Sequence, residues 1–260
     1  MDNDFWLIAA VALVAAVASP LGGLLSILLP PSTLLLSIAV GFAGGILLGT
    51  MAFEMVPTAL ESLSVWAVVP ALALGVALTY GLDFVVNRGR MAGEEADQKP
   101  AVDRYHRRHR PMGTTVTVLA AATAIEELIE GLTIGVGGSI GIGTAIVVGV
   151  AISIDNVSEA LSIGTLTREE NPEHYRGRTL MWTGIIGLSL LASALAGALL
   201  LKDLPQEALA FVLATGAGAM LYLTTTDLLP EAEAHQYQQS SALAVAAGVM
   251  MALVLSQVQG

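Results

Sequence analysis

The stretch Ala124-Ile-Glu-Glu-Leu-Ile-Glu-Gly131 decides how this chain is read. It places Glu126, Glu127 and Glu130 inside a run that is otherwise apolar from Thr114 to Val136. The next apolar run carries a second polar group, Asp155, Asn156 and Glu159. Residues four apart on a helix stack on one face, so Glu126 lies above Glu130 and Asp155 above Glu159. Two neighbouring helices then each present a ladder of carboxylates. In an apolar interior only bound cations or protons offset such a ladder.

The surroundings of the stretch are those of a membrane. Of 260 residues, 55% are hydrophobic and 13% charged, and the mean hydropathy is +0.73. A soluble domain carries about 25% charged residues, so the composition points to an all-α polytopic membrane protein. The absence of cysteine excludes disulfides, thiolate metal sites and cysteine nucleophiles. The start, Met1-Asp-Asn-Asp4, lacks the basic region of a signal peptide, and the run after it is too long for one, so it reads as a retained first helix. The formal net charge is −11, and Lys99 and Lys202 are the only lysines. That balance suits either acidic loops adapted to high salt or an acidic cation path. With one short basic loop, nucleic acid is excluded as a partner.

Apolar runs long enough to cross a bilayer fall at Phe5–Leu29, Leu34–Phe53, Val65–Val86, Thr114–Val136, Ile140–Leu166, Leu180–Leu201, Leu209–Leu229 and Ala242–Val258. This is an expectation of eight transmembrane helices in a single domain over residues 1–260. A tight hairpin at Gly137-Gly138-Ser139 separates helices four and five. Of eleven basic side chains, seven (Arg88, Arg90, Lys99, Arg104, Arg107, Arg108, Arg110) lie in one loop, and Arg168, Arg176 and Arg178 lie in another. Basic loops stay inside, so both loops are expected to be cytoplasmic and both termini outside. Residues 87–112, with Pro100, Pro111 and the pair His106 and His109, read as a mostly disordered cytoplasmic loop.

An internal echo sets the arrangement. Gly45, Glu54 and Pro57 of helix two align without a gap on Gly218, Asp227 and Pro230 of helix seven. Those helices run in opposite directions, so helices 1–3 and 6–8 form an inverted repeat around helices four and five, a 3+2+3 plan. Inverted repeats around a midplane polar site are the pattern of secondary transporters.

An acid near a helix end reaches the headgroups. That suffices for Asp83, beside Arg88, and for Glu61, beyond Pro57; it leaves Glu54 open. It does not suffice for Glu126, Glu127, Glu130, Asp155 and Glu159, which lie far from their helix ends with no Lys or Arg in reach as counter-ion. Carboxylates with Asn156, Ser158 and Thr123 or Thr133 are hard oxygen donors, suited to Mn²⁺, Mg²⁺, Ca²⁺ or Fe²⁺, whereas Zn²⁺ usually recruits His or Cys. All four histidines (His106, His109, His174, His235) fall in expected loops.

The order of these features resembles the ZIP family of divalent metal transporters. In that family helix four reads His-Asn-x-Pro-Glu-Gly, and helix five carries a similar polar pair, proline and glutamate. The counterparts here are Glu126-Glu127-Leu128-Ile129-Glu130-Gly131 and Asp155-Asn156-Val157-Ser158-Glu159-Ala160, with Asp227 of helix seven at a further acidic position. Glu126 stands where the family has histidine, and Ile129 and Ser158 replace both motif prolines. The resemblance implies a first metal site at Glu126, Glu130 and Glu159. It implies a second bordered by Glu127, Asp155 and Asn156, sharing Glu130 and Glu159. Leu180–Leu201 offers no acid to complete that second site. It also implies a homodimer in the plasma membrane that moves Zn, Mn, Fe or Cd towards the cytoplasm.

The divalent ion is then a substrate and no cofactor is expected. Without a Gly-rich loop leading into Lys-Ser/Thr, transport runs on a gradient or a coupled ion. The alternative is a cation/proton exchanger using the same acids. An enzyme is not expected: His-Glu-x-x-His is absent, and so is the zinc-water site of an intramembrane hydrolase.

Overall fold

A computed structural model describes residues 3–86, 115–233 and 237–257. The loop 87–112 with His106 and His109, and the position of His235, lie outside the described residues.

Among the described residues every regular element is helical. In chain order these are α1 (Asn3–Leu28), α2 (Thr33–Ser62), α3 (Val65–Val86), α4 (Thr115–Ile140), α5 (Ile142–Glu170), α6 (Tyr175–Leu200), α7 (Gln206–Glu233) and α8 (Gln238–Gln257). Seven of them, all but α4, are both long and apolar enough to cross a membrane. At 26 residues α4 has the length, about 39 Å at the α-helical rise. What it lacks is apolarity, because three glutamates fall within five residues, Glu126 to Glu130.

The element ends differ from those read off the apolar runs. The break between α4 and α5 is the single extended residue Gly141 (φ −168°, ψ 136°), and Gly137, Gly138 and Ser139 stay helical. Their small size serves packing instead: a Cβ on Gly137 would press on Thr144 at 3.2 Å, and one on Gly138 would meet Ile8 and Ala145. Helices α2 and α7 run past Phe53 and Leu229, through Pro57 and Pro230. Each passes its proline by one wide turn, Met51–Met55 and Thr224–Leu228, in which Val56 N–H reaches Met51 O and Leu229 N–H reaches Thr224 O. Proline lacks a donor and its ring crowds the carbonyl four residues back, and a wide turn moves that carbonyl aside. The two wide turns begin 173 residues apart, the same offset that superposes Glu54 on Asp227.

The described helices pack in two groups of four. In one, α4 lies along α6 and α1 along α5 and α6; in the other, α2 lies along α8 and α3 along α7. The groups meet where α2 touches α5 and α4 touches α7. Glycine sets the approach within the second group. A Cβ on Gly45 would strike the Val245 carbonyl and one on Gly218 that of Leu72; a Cβ on Gly248 would strike Phe42 O and one on Gly75 would strike Thr215 O. Helices this close gain dispersion contacts that side chains would block, which is how small residues hold membrane helices together.

Candidate metal-binding site

The turn at Gly141 sets the register of α4 against α5. A Cβ added to Gly138 would lie 3.3 Å from Ala145 Cβ, and one added to Gly149 would lie 3.9 Å from Ile134 Cδ1. Continued antiparallel, that register brings Glu127 level with Asn156. Glu127 lies twelve residues from the start of α4, and Asp155 thirteen from the start of α5. Both therefore lie near the middle of their helices.

Two further helices close the sides. On α1, Gly22 lets Val157 and Ala160 approach, and Asn156 Nδ2 donates to Ala15 O at 3.1 Å. On α6, Ser193 Oγ donates to the Glu127 carbonyl at 3.2 Å, beside Gly131, where a Cβ would strike Leu190 O. These four helices exclude solvent: Glu127 is 1% exposed, Asn156 0%, Asp155 3% and Glu130 4%. Glu126 and Glu159 are partly buried.

The carboxylates act on one another. Glu130 feels Glu127, Asp155 and Glu126; Glu159 feels Asp155 and all three glutamates of α4. Neither α4 nor α5 turns a basic side chain to them: α4 has none, and Arg168, in the last turn of α5, is engaged elsewhere. Its guanidinium stacks on Tyr175, 4.6 Å from the ring centroid, and donates to Ile27 O at 3.1 Å.

Three acceptors stand out. Both carboxylate oxygens of Glu127 and Asn156 Oδ1 are buried with no hydrogen-bond partner. A buried carboxylate stripped of water and left without a donor is costly, and a cation or a proton is what such acceptors take. The donor chemistry therefore fits a hard or borderline divalent ion. As placed, the acids form a row and not a cage: among the described residues no three His, Asp or Glu side chains converge tightly enough to hold a metal.

The other residues singled out in the sequence fall around this row. Glu126 lines a cavity of about 20 Å³ with Thr79, Leu82, Ile129 and Leu223, at the junction of α3, α4 and α7, room for one water. Ser158 Oγ donates to Asp155 O at 2.9 Å, and Thr133 Oγ1 donates to Ile129 O at 2.8 Å. Ile129 and Ser158, in the place of the prolines, leave α4 and α5 unbroken. His174 lies at the surface, just before α6.

Asp227 sits partly buried in the wide turn of α7 and is engaged there. The α7 charge that reaches Asp155 is that of Glu231, one turn further on. Glu54 is 8% exposed, too buried for a headgroup role, and is set against Thr144 in the first turn of α5. Glu61 is exposed, as a headgroup role requires. Sequence reasoning passed over Glu231 because it follows Pro230, where the apolar run stops. The available signal was its spacing, four residues after Asp227 on one helix face.

Two curated proteins are similar over most of this chain. The zinc transporter ZupT of Corynebacterium efficiens is 29% identical over 233 residues, covering 86% of each chain. The zinc transporter ZupT of Corynebacterium glutamicum is 30% identical over 230 residues, covering 85% of this chain and 86% of its own. No protein-family model matches the chain.

Proposed function

This chain belongs to the ZIP family of metal transporters, and we propose that it carries zinc or a related divalent cation across the membrane to the cytoplasm along the acids of α4 and α5. The observation that carries this reading is the trio of orphaned acceptors, Glu127 Oε1 and Oε2 and Asn156 Oδ1, in the dry middle of two helices. The ligands are Glu126, Glu127, Glu130, Asp155, Asn156 and Glu159, with Asp227 at the edge of the path. Uncomplexed carboxylates repel one another and keep apart. A cation reverses that sign and draws the row together. Both relatives are named zinc transporters, which puts zinc first among the cations despite the all-oxygen donor set. Manganese, iron and cadmium follow.

The reading extends to topology. We take α4 as the eighth span, its acids shielded by α1, α5 and α6, and the basic turns as cytoplasmic. The inverted repeat gains support from the packing. Shifting every residue by 173 turns the Gly45–Val245 contact into Gly218–Leu72, and Phe42–Gly248 into Thr215–Gly75. The two wide turns obey the same shift.

The test is uptake of Zn²⁺, Mn²⁺, Fe²⁺, Cd²⁺, Mg²⁺ and Ca²⁺ into proteoliposomes, with and without a pH gradient. Saturable transition-metal uptake, lost in Glu130→Ala and in Glu159→Ala, is expected. Wild-type flux in either variant would sink the site assignment. Cation/proton exchange without divalent flux would overturn the substrate.

A further inference from the structure

One residue of α7 hooks onto α5 outside the ligand set above. Glu231 Oε1 accepts a hydrogen bond from Ser162 Oγ at 2.6 Å. Ser162 lies seven residues after Asp155, two turns along the same face. Helices α5 and α7 belong to different four-helix groups, so this bond crosses the boundary between them. The hook is firmly mounted. The next residue, Ala232, is fully buried and its carbonyl accepts from Ser37 Oγ of α2, which pins the end of α7 to its own group.

We propose that Glu231 is a positioning residue: from the anchored end of α7 it clasps Ser162 and holds the second four-helix group against the acidic face of α5. The clasp lies between Asp155 and the basic turn at Arg168, on the side read above as cytoplasmic. It rests on the transport reading for its consequence alone, since an ion leaving Asp155 on that side passes this contact and the clasp must open. Ordinary buried bonds only add stability. A clasp across the boundary of the two groups also governs how often that boundary opens.

The chain has no cysteine, so a single introduced thiol reports without background. Ser158→Cys places it one turn before Ser162, at a residue only 2% exposed. Its reaction with a membrane-impermeant methanethiosulfonate is followed in metal-free, chelator-treated vesicles of either orientation. A hydrogen bond to a charged group is worth enough to change an opening equilibrium on the order of tenfold or more. Ser162→Ala and Glu231→Ala should each speed labelling about tenfold from the cytoplasmic side. The double variant should be no faster than either single one, and Ser162→Thr, which keeps the hydroxyl, should label at the parent rate. Unchanged labelling in both alanine variants, or strictly multiplicative effects in the double, would overturn the clasp. Because labelling is read without metal, a failed uptake assay would refute the transport reading and leave this result standing. Unchanged labelling beside normal zinc uptake by the unsubstituted protein would refute the clasp alone.

Discussion

Gly22 offers a sharp test of how the acidic face of α5 is held. A Cβ at Gly22 would lie 2.8 Å from Val157 O, 2.9 Å from Val157 Cα and 2.9 Å from Ala160 Cβ, where ordinary contacts begin at 3.4 Å. Two of these neighbours are backbone atoms and the third is a methyl fixed to the backbone, so no rotamer change relieves them. In Gly22→Ala, α1 must therefore retreat from α5 by about half an ångström, the difference between the built and ordinary distances. Overpacking of this kind costs about 1–3 kcal/mol, against a gain of up to about 1 kcal/mol from the better helix propensity of alanine. The control is Gly184→Ala on α6, where a Cβ meets nothing within 4 Å and only the propensity gain applies. At about 2–4 °C per kcal/mol for a chain of this size, thermal melts in detergent should separate the two variants by roughly 2–12 °C, with Gly184→Ala the higher. The retreat also lengthens the bond from Asn156 to Ala15, so zinc uptake should fall in Gly22→Ala and hold in Gly184→Ala. Equal melting temperatures and equal uptake would show that α1 does not position the site.

Two further outcomes bear on the ligands. Glu127→Gln should abolish uptake while raising zinc-free stability by about 1–3 kcal/mol, because the amide N–H₂ donates to orphaned Asn156 Oδ1 and two unsatisfied groups vanish together. Thermal melts with and without zinc read both effects, and a variant that still transports would remove Glu127 from the ligand set. Glu126→His should raise the zinc-to-manganese uptake ratio on the order of tenfold, about 1.4 kcal/mol for exchanging one oxygen donor for a borderline nitrogen. An unchanged ranking would mean that Glu126 serves the water-sized cavity it lines and does not select the ion.

Much of the candidate site was legible before any coordinates. Helical periodicity alone stacks Glu126 on Glu130 and Asp155 on Glu159. Their distance from the helix ends excludes a headgroup role whatever the fold. The gapless echo of Gly45-Glu54-Pro57 in Gly218-Asp227-Pro230 likewise foretold paired features, and the two wide turns fall on it. Helix ends were read less well. Hydropathy stops at the first polar residue, whereas backbone hydrogen bonding continues as long as packing supports it. Hence α2 and α7 run on past their prolines, and α4 keeps Gly137 to Ser139.

The amino-acid sequence by itself determined that the chain is a multi-helix membrane protein with a cluster of acids at mid-helix, since composition and period are local properties. Tertiary structure decided which of the polar groups meet. It set Glu127 beside Asn156, turned Glu126 towards α3 and α7, buried Glu54 against Thr144, and hooked Glu231 to Ser162 across 69 residues. Those pairings follow from the approach of helices distant in the chain. That approach is set by glycines such as Gly22, Gly45 and Gly131, whose missing side chains carry no sign of the partner they admit.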